Sequence, residues 1–409
     1  MTKQVDALIL GAGPAGSALA QTLARAGHSV MLADKKHFPR QKPCGEFLSP
    51  ECRPYLDELG VGMALGKMGV RQISGMNLFA GASVASGRFL RLDSAPHNDA
   101  GYAIRREILD MALLEAAADR PEVTWLERHE FQRLVRNSSG EVVGAVLRDP
   151  DSRLREIRAR ITIGADGVHS RVARDLGVQR PSRWLDRFAL VARFHGVAPR
   201  AAAEVHFVPR AYFAATTVDD GSFHLNLLVD RPALRHKHGD VDAFVREHLQ
   251  SAPELERRLQ GAERIGTWRG IGPLAFSTSQ QAWKTVALVG DACGYVDPLT
   301  GEGIYFALHG ARSLAQAIVE SLERPADAAA AMRRYAIRRR REVGPRMILA
   351  AAIQRGLRHE AIVRLAVRCL ASWPRLCDLL VNVTGDAVHP KDLLLPSFWR
   401  DFRRAQRLA

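Results

Sequence analysis

Three glycines near the N-terminus have the spacing that holds the phosphates of a dinucleotide. Gly11, Gly13 and Gly16 form a G-x-G-x-x-G pattern. The first allows a tight turn, the second lets the backbone approach a pyrophosphate, and the third lets a helix pack closely on a strand. Asp34 follows about 20 residues later, where a carboxylate can accept the ribose hydroxyls. The pattern predicts a nucleotide site, whereas a glycine-rich turn in an ordinary α/β protein leaves Asp34 unexplained.

The elements that must position these residues are also visible in the sequence. Residues 7–10 are apolar and predict a buried strand, and residues 29–33 predict a second one. Between them, residues 17–26 favour a helix that stops at Gly27. A strand, a turn, a helix and a second strand in this order make a Rossmann unit. The helix N-terminus then presents free N–H groups and a positive dipole end to the phosphates.

Two further aspartates follow predicted strands. Asp166 lies in the string GADG after a strand at residues 159–163, and Asp291 lies in the string GDA after a strand at residues 285–289. Open α/β sheets bind ligands at the carboxyl ends of their strands. Either aspartate alone is equally well explained as a helix cap. The three motifs in this order favour one shared nucleotide site.

These three motifs together resemble the flavoproteins of the aromatic hydroxylase and geranylgeranyl reductase superfamily, over roughly residues 5–325. The resemblance implies FAD as the cofactor, with Asp291 accepting from its ribityl chain and Arg106 meeting the cofactor. It also implies that the helix after Gly301 and Gly303 directs its N-terminus at the pyrimidine edge of the flavin, where it stabilises negative charge on the reduced ring. The residues expected to bind FAD are Gly11, Gly13, Pro14, Ala15, Gly16, Asp34, Lys35, Arg40, Cys44, Gly45, Arg106, Asp166, Asp291, Gly301, Gly303 and Ile304.

Two stretches resemble the geranylgeranyl reductase branch and its relatives among flavin-dependent halogenases and natural-product oxidoreductases. They are residues 297–305, DPLTGEGIY, and residues 38–50, FPRQKPCGEFLSP. In that branch the cysteine lies near the isoalloxazine ring, which makes Cys44 the candidate catalytic residue. Cys44 is explained equally well as a small buried hydrophobic residue.

The strand expected at residues 211–218, AYFAATTV, departs from that branch. It lacks the Tyr-x-Trp-x-Phe-Pro stretch of the reductases, which argues against isoprenoid double-bond reduction. The chain also lacks the Trp-x-Trp-x-Ile-Pro stretch of the halogenases, which argues against halogenation. The remaining resemblance is to oxygenating members, in which a flavin C4a-hydroperoxide hydroxylates or epoxidises a hydrophobic or aromatic natural product. In those proteins the chain mainly orients the substrate and excludes water.

No second G-x-G-x-x-G pattern follows a predicted strand. NAD(P)H is therefore expected to dock transiently as the electron donor, or electrons come from a partner protein. Two histidines on predicted strands of the substrate sheet, His206 and His224, could act in acid–base steps. A structural role is nevertheless the better explanation for each of the scattered histidines His169, His195, His206, His224 and His309.

The expected fold class is α/β, with a Rossmann-type FAD-binding domain interlocked with an antiparallel β-sheet substrate domain and followed by a helical C-terminus. The FAD-binding domain is expected to comprise residues 1–75, 100–180 and 280–325. The substrate domain is expected at residues 76–99 and 181–279, and the C-terminal helical segment at residues 326–409.

Local patterns give the expected elements of these domains. Alternating residues predict a β-meander formed by residues 123–127, 130–136 and 142–148. The same period predicts antiparallel strands at residues 188–194, 204–208, 211–218 and 222–229. Helical periodicity predicts one helix at residues 242–259, another at residues 304–322, and amphipathic helices from there to about residue 383.

The chain is strongly basic, with a net charge of +14 and arginines concentrated at residues 333–341. Such a charge favours phosphate-bearing cofactors, an acidic carrier protein or an anionic membrane surface. No aromatic-studded basic groove or DNA-reading motif accompanies it, so no nucleic acid partner is expected. A solvated, arginine-rich helix face explains the charge equally simply. Helices around residues 361–370 are expected to close over the substrate end or to pack on the core, and a monotopic membrane contact that delivers a hydrophobic substrate is the alternative.

The five cysteines are few and lack metal-ligand spacing, so neither zinc nor disulfides are expected. No stretch approaches the ~18 apolar residues of a membrane-spanning helix. The first predicted strand starts close to Met1, which leaves no room for a cleavable signal. These observations favour a cytoplasmic protein, with peripheral membrane contact as the alternative.

The leading hypothesis is an FAD-dependent monooxygenase of secondary metabolism that NAD(P)H reduces and that oxidises a hydrophobic or aromatic small molecule. One alternative is a geranylgeranyl-reductase-like C=C reductase. Another is an electron-transfer flavoprotein with a protein or quinone partner, docked through the basic surface. Oxygen dependence of product formation separates the first two. The third predicts no turnover without a partner and strongly salt-sensitive activity.

Overall fold

The computed structural model describes residues 4–92, 99–235 and 239–408. Parts of the expected domains, at residues 1–3, 93–98, 236–238 and 409, lie outside the described residues. The strands are β1 (Val5–Leu10), β2 (Val30–Asp34), β3 (Phe47–Leu48), β4 (Arg71–Ile73), β5 (Gly75–Ala80), β6 (Ser83–Arg88), β7 (Gly101–Ala103), β8 (Val123–Glu127), β9 (Glu130–Arg136), β10 (Val142–Arg148), β11 (Leu154–Gly164), β12 (Gln179–Pro181), β13 (Arg187–His195), β14 (Ala203–Val208), β15 (Ala211–Thr217), β16 (Phe223–Asp230), β17 (Glu263–Ile271), β18 (Phe276–Thr278), β19 (Val286–Leu288) and β20 (Gly294–Tyr295).

Helices cover both sides of the first sheet and make up most of the C-terminal part. They are α1 (Pro14–Arg25), α2 (Cys52–Glu58), α3 (Gly62–Lys67), α4 (Arg106–Ala118), α5 (Arg171–Asp175), α6 (Arg231–Arg235), α7 (Val241–Leu249), α8 (Pro253–Arg258), α9 (Gly303–Glu323), α10 (Ala328–Gly356), α11 (Glu360–Ser372), α12 (Pro374–Thr384) and α13 (Pro396–Leu408).

A seven-stranded sheet, the nucleotide sheet, carries the N-terminal motifs. Its path is β8-β2-β1-β11-β10-β9, and β19 also pairs with β11. The pairs of β1 with β2 and β11, and of β11 with β19, are parallel. Leu10 is level with Gly164, and Gly164 with Leu288, so the carboxyl ends of these strands meet at one edge. The chain segments after all of these strands therefore begin at the same place, as parallel sheets require of a shared site.

The predicted β-meander of β8, β9 and β10 is wrong, because β8 is not part of it. β9, β10 and β11 form the antiparallel meander, whereas β8 pairs in parallel with β2 at the other edge of the sheet. Helix α4 precedes β8 and carries the chain back to that edge, as a crossover between parallel strands does. Alternation of side chains predicts a strand but leaves its pairing partner open, which is why the pattern misassigned β8.

A second seven-stranded sheet, the substrate sheet, has the order β17-β13-β16-β15-β14-β5-β6. All of its pairs are antiparallel except that of β14 with β5. β5 and β6 come from an early part of the chain, so the two halves of the molecule interlock. The edge strand β17 has no sequence prediction, because its side chains are exposed or half-buried along its whole length and show no alternation.

Two helical predictions need correction. The single helix expected at residues 242–259 is two helices, because Pro253 ends the first and occupies the first turn of the second. The helical C-terminal part also extends beyond residue 383, where α13 follows a loop. Within the described ranges, none of the helices combines the length and the hydropathy that a bilayer span requires.

Helices α11 and α12 cover the β6 edge of the substrate sheet. Val363, Val367 and Leu370 of α11 and Val381 of α12 are buried in the apolar cluster that lies on this sheet. Asn382 supplies the hydrogen bonds that β6 lacks at its end: its Oδ1 accepts from the Leu90 N–H at 3.0 Å and its Nδ2 donates to the Arg88 carbonyl at 2.7 Å. The C-terminal helices are therefore part of the wall around the molecule's interior.

Candidate active site

A cavity of about 540 Å³ runs between the two large sheets. At one end it is lined by the segments that follow β1, β2 and β11, including Gly11, Asp34 and Asp166. At the other end its walls are side chains of the substrate sheet, such as Val191 and Leu228. One continuous space therefore joins the nucleotide motifs to the sheet expected to bind the substrate.

The glycine loop is as tight as its pattern predicts. A Cβ at Gly16 would lie 1.8 Å from the Gly11 carbonyl oxygen, and one at Gly11 would lie 2.4 Å from the Ala165 oxygen. Helix α1 begins at Pro14 after Gly13, which provides no side-chain cap. The N–H groups of this first turn therefore remain open towards the cavity, as phosphate binding at a helix N-terminus requires.

Asp34 lines the cavity and also shapes the glycine loop. Its Oδ2 accepts a hydrogen bond from the Ala12 N–H at 2.9 Å, and its Oδ1 accepts one from the Lys36 N–H at 2.9 Å. A carboxylate has about four lone-pair sites, so these two bonds leave acceptor capacity on both oxygens. Asp34 can therefore hold the loop and accept ribose hydroxyls at the same time.

Asp166 combines the two roles that its position allows. Its Oδ2 accepts hydrogen bonds from the N–H groups of Arg171, at 2.6 Å, and Val172, at 3.2 Å, at the start of α5. Its Oδ1 is buried and has no hydrogen-bond partner in the described residues. Burial raises the pKa of Asp166. One oxygen thus caps the helix, while the other is an unmet acceptor at the nucleotide end of the cavity.

Asp291 faces a group of cations across the cavity. It lies in the short 3-10 turn that follows β19, and burial raises its pKa while Lys42 and Arg106 oppose that rise. Arg106 is buried and makes a bidentate pair with Asp110, at 2.7 and 2.8 Å. Arg40 lies 3.4 Å from the same carboxylate. The arginines are held in place by Asp110 and remain in the cavity wall.

Lys42 is a site residue that the sequence motifs did not single out. Its side chain lines the cavity, and its pKa is lowered first by burial and then by the neighbouring Arg106. Neighbouring positive charges repel Lys42, and a bound anion would offset that repulsion. The signal that could have identified it is its position two residues before Cys44, in the same loop as Arg40.

Cys44 lines the middle of the cavity and is half-buried. Its backbone carbonyl accepts a hydrogen bond from His224 Nε2 at 2.6 Å. The other ring nitrogen, His224 Nδ1, lies 3.0 Å from Glu46 Oε2, and burial raises the pKa of Glu46. His224 therefore fixes the Cys44 loop to the substrate sheet. A thiol directed at a ligand and a small wall residue are both compatible with this position.

The loop before α9 forms the wall opposite the glycine loop. Gly301 has φ +71°, and a Cβ there would lie 2.6 Å from the Phe47 ring, so the turn requires glycine. Gly303 begins α9, and the preceding Glu302 makes no side-chain cap. Gly301, Gly303 and Ile304 all line the cavity. The N-terminus of α9 is therefore open to the same space as that of α1.

Asp297 ties this loop to the substrate sheet. The hydroxyl of Tyr212, on β15, donates to Asp297 Oδ1, which also accepts from the Leu299 N–H at 3.0 Å. Burial raises the pKa of Asp297 to about 6, against the lowering effect of Tyr212 and Arg187. The loop that faces the cofactor end of the cavity is thus connected directly to the sheet that walls its other end.

The substrate sheet presents a largely apolar floor to the cavity. Val191 is level with Asn226, Asn226 with Ala214, and Ala214 with Val205, so these four side chains form one row across four strands. Further apolar members of the lining are Met76, Ala189, Ala203, Leu228, Ile271 and Leu274. The row consists of two valines, one alanine and one asparagine, so it contains no aromatic side chain.

Two polar side chains of this sheet, Thr216 and Asn226, also line the cavity. The buried Thr216 Oγ1 has no hydrogen-bond partner in the described residues, and Asn226 Nδ2 donates weakly to the Ala214 carbonyl at 3.3 Å. The side chain of Glu204 lies on the other face of the sheet, level with Ala215, where Arg200, His206 and Arg258 hold it. The polar groups available to a ligand on this wall are therefore Thr216 and Asn226.

The structure brings nearly all of the predicted site residues to this one cavity. Gly16 is the exception, because it lies beneath the glycine loop and provides its close packing. Of the histidines, His169 lines the cavity and His309 is hydrogen-bonded with Tyr55 at 3.0 Å. His206 stacks on Phe79 with ring centroids 4.1 Å apart, so it belongs to the packing of the sheet.

Fold and cavity together define an FAD-dependent oxidoreductase. The glycine cradle, the two open helix N-termini, the unmet Asp166 oxygen and the cations around Lys42 fit a phosphate-bearing dinucleotide. The chain belongs to the FAD binding domain family, which matches residues 4–348. FAD is therefore the cofactor that the nucleotide end of the cavity serves.

Several characterised proteins are similar to this chain. Conditioned medium factor receptor 1 of Dictyostelium discoideum is 29% identical over 77% of this chain, which spans 63% of that protein's length. Digeranylgeranylglycerophospholipid reductase 1 of Methanopyrus kandleri is 28% identical, over 81% of this chain and 85% of that one. Ubiquinone hydroxylase UbiL of Rhodospirillum rubrum is 29% identical, over 78% and 73%.

Among solved structures, the myxobacterial chondrochloren halogenase CndH has the same fold. The two chains superpose with a TM-score of 0.81 at 22% identity, over 99% of this chain and 96% of the other. At this identity the similarity shows the fold alone. It confirms the expected α/β class with a helical C-terminus.

Proposed function

We propose that the protein is an NAD(P)H-dependent monooxygenase that hydroxylates or epoxidises a hydrophobic or aromatic natural product. The observation that carries the proposal is one continuous cavity, which joins the FAD end to a largely apolar floor. Such a space admits a flat apolar molecule and excludes water around the reacting atoms. The 29% identity to a ubiquinone hydroxylase supports the same reaction class.

Different residues at the nucleotide end would bind different parts of the cofactor. Gly11, Gly13 and the first turn of α1 would hold the pyrophosphate, with Lys42 near its charge. Asp34 would accept the ribose hydroxyls, and the open N-terminus of α9 would face the pyrimidine edge of the flavin ring. Bound FAD supplies the redox chemistry, since it accepts a hydride from NAD(P)H and reacts with oxygen.

We further propose that the remaining predicted residues contact the same cofactor. Their place in the cavity wall supports this, because every one of them lines it, whereas Gly16 supports the glycine loop from beneath. These residues are Pro14, Ala15, Lys35, Arg40, Cys44, Gly45, Arg106, Asp166, Asp291, Gly301, Gly303 and Ile304.

The main role of the side chains at the substrate end would be to orient the ligand. Thr216 and Asn226 are the side chains that would hydrogen-bond a polar substituent, and the surrounding wall is apolar. The carboxylate of Glu204 lies on the other face of the sheet, paired with three basic groups, so it does not face a substrate. Oxygen insertion requires mainly that the wall position the molecule, whereas double-bond reduction needs a proton on carbon, for which Cys44 and Tyr295 are the donors in the cavity lining.

The test is to follow the fate of oxygen. The protein is reconstituted with FAD, supplied with NADPH or NADH, and given a panel of apolar aromatic probes under oxygen-18 gas. We expect a product that gains one oxygen-18 atom, and none when oxygen is removed. Ala214→Trp fills the floor of the cavity and should abolish the product while FAD stays bound. Ala64→Trp, on the exposed surface of α3, is the matched control and should leave turnover unchanged.

A C=C reductase is the second candidate, because a digeranylgeranylglycerophospholipid reductase is 28% identical and Cys44 lines the cavity where a thiol could donate a proton. In that case an unsaturated isoprenoid probe gains two hydrogens without oxygen, and Cys44→Ala removes the activity. This outcome, together with no oxygen-18 incorporation, would replace the monooxygenase proposal.

The route by which the substrate arrives is also a proposal. An acidic carrier protein and an anionic lipid surface both suit a chain with a net charge of +14. The exposed side of the C-terminal helices favours the lipid surface.

A further inference from the structure

Helices α11 and α12 expose a row of large apolar side chains on the outside of the molecule. Ile362 and Leu365 are three residues apart on α11, Trp373 stands between the two helices, and Leu376 lies in the first turn of α12. The members of the row, which define the outer face, are Ile362 (54% exposed), Leu365 (57%), Trp373 (66%) and Leu376 (40%). Single exposed apolar residues are ordinary on protein surfaces, but four large ones on one short stretch of the chain indicate an interaction site.

The same helices have a separate apolar face that already satisfies the core. Val363, Val367 and Leu370 of α11 are buried against the substrate sheet, as are Cys377 and Val381 of α12. A helix that serves only a core has polar residues on the side away from it. The outer face therefore is not explained by folding, and it has the composition of a second contact surface.

Arginines border the outer face, and free acidic groups do not. The sequences of α11 and α12 contain Arg364, Arg368 and Arg375, all exposed, but only two acidic residues. Glu360 is paired with Arg364, and Asp378 is buried, where its Oδ1 accepts the Arg88 N–H at 2.8 Å. The charge complementary to this surface is therefore negative.

Helix α13 extends the basic border. Gln406 Nε2 donates to the Arg375 carbonyl at 3.1 Å, which places the last turns of α13 beside the start of α12. This end of α13 exposes Arg403 and Arg407. Apolar side chains ringed by arginines are the arrangement of helices that lie in a membrane interface, where the apolar side enters the acyl boundary and the arginines meet phosphates.

We infer that the outer face of α11 and α12 docks the protein on a lipid surface that contains anionic headgroups. The inference rests on the proposed function for its purpose, since an apolar substrate is concentrated in lipid. Met76 and Val191 line the cavity and belong to the same apolar cluster as the inner side of α11. One helix layer therefore separates the docked face from the wall of the substrate site.

Vesicle co-sedimentation of the FAD-loaded protein tests this inference. The vesicles are phosphatidylcholine alone or phosphatidylcholine mixed with phosphatidylglycerol. We expect at least ~10-fold stronger binding to the anionic vesicles, because several arginines contribute near the surface. The double variant Leu365→Ser/Trp373→Ser should weaken that binding by about 10-fold or more. Met63→Ser, which alters an 80% exposed methionine on α3, is the matched control and should bind like the wild type.

A second variant separates a lipid surface from an acidic protein partner. Arg368→Gln/Arg375→Gln should reduce binding to anionic vesicles and leave the weak binding to phosphatidylcholine unchanged. Brominated acyl chains should quench the fluorescence of Trp373, as judged by comparison with Trp373→Phe. If the arginine variant lowers vesicle binding but the apolar variant does not, the face is an electrostatic site for an acidic partner and the inference is overturned. Equal binding of all variants, or no binding to anionic vesicles, also overturns it.

These results are independent of the outcome for the reaction. Sedimentation requires no turnover, and the oxygen-18 experiment uses dissolved probes without vesicles. Loss of docking in the Leu365→Ser/Trp373→Ser variant with intact oxygen incorporation supports both proposals. Docking without oxygen incorporation leaves the surface assignment standing and contradicts the monooxygenase proposal.

Discussion

At the residue scale, Lys42 is the side chain whose surroundings are best suited to a bound anion. Its pKa is lowered by burial and by Arg106, while Asp291 and Asp110 act in the opposite direction. We predict that Lys42→Met weakens FAD binding by about 10- to 100-fold, since a charge-assisted hydrogen bond contributes about 1.5–3 kcal/mol. Titration of the cofactor-free protein with FAD, followed by flavin fluorescence, measures the effect.

The Lys42→Met substitution should increase the stability of the cofactor-free protein. Removing a cation from a group of cations should raise the melting temperature without FAD, whereas FAD should raise it less in the variant than in the wild type. Lys67→Met, at an exposed position on α3, is the control for loss of a lysine. An unchanged FAD affinity in Lys42→Met would mean that Lys42 is a wall residue without a cofactor role.

Asp297 makes the stability of the molecule depend on pH. Its folded pKa of about 6 lies above the ordinary value of 3.8, because the carboxyl is buried. A raised pKa contributes stability that is complete below the unfolded value and is lost as the pH rises through the folded value. We predict that between about pH 4 and pH 7 the wild type loses roughly 1–3 kcal/mol relative to Asp297→Asn. Urea unfolding of both proteins across this range measures the difference.

The comparison between the two proteins isolates Asp297 from the other titrating groups. The amide oxygen of the Asp297→Asn variant can still accept from Tyr212 and from the Leu299 N–H, so the loop should keep its conformation. Tyr212→Phe is the companion variant, which removes the donor and leaves the carboxyl. Parallel stability curves for the wild type and Asp297→Asn would show that this carboxyl is ionised in the folded protein at every pH examined.

At the element scale, Asn382 of α12 completes the edge of the substrate sheet. The side chain is fully buried and satisfies the Leu90 N–H and the Arg88 carbonyl. We predict that Asn382→Leu lowers the free energy of unfolding by about 2–4 kcal/mol, because two backbone groups lose their partners. Gln316→Leu, an exposed amide on α9, should change it by less than about 0.5 kcal/mol. Urea unfolding at neutral pH compares the two. Equal effects would contradict the role of Asn382.

The difference between local and distant information explains what the sequence could predict. Gly11, Gly16 and Gly301 carry constraints that act over a few residues, so their turns follow from the pattern alone. The pairing of β8 with β2 depends on a crossover through α4, which alternation does not encode. The exposed β17 has no strong pattern of its own and forms because β13 offers it an edge.

The same distinction applies to the site. The aspartates of the GADG and GDA strings follow strands, so the sheet edge could be foreseen. The pKa of Lys42 depends on its burial and on Arg106 and Asp291, which lie far away in the chain. His224 holds the Cys44 carbonyl across 180 positions. Contacts of this kind arise only when the chain folds, and no spacing rule describes them.

At the scale of the whole molecule, one buried cluster joins three distant parts of the chain. Arg346 of α10 pairs with Asp386, in the loop after α12, and lies 3.6 Å from Glu302, which precedes α9. Both carboxyl groups are buried, and Thr300 donates a hydrogen bond to Glu302 at 2.6 Å. The C-terminal segment, which carries the outer face, is thus locked to the loop beside the cofactor end of the cavity.

This cluster holds two carboxyl groups against one guanidinium, so it retains a proton. Burial, and then Asp386, raises the pKa of Glu302 well above its ordinary value. The stability that this proton provides is present at low pH and is lost as the pH rises. We predict that Glu302→Gln, which resembles the protonated form, matches the wild type near pH 5 and is more stable by about 1–3 kcal/mol near pH 8. Thermal and urea unfolding at both pH values measure this, with Glu323→Gln, at an exposed position at the end of α9, as control. A gain that is equal at both pH values would mean that Glu302 is ionised throughout and that Arg346 neutralises both carboxylates.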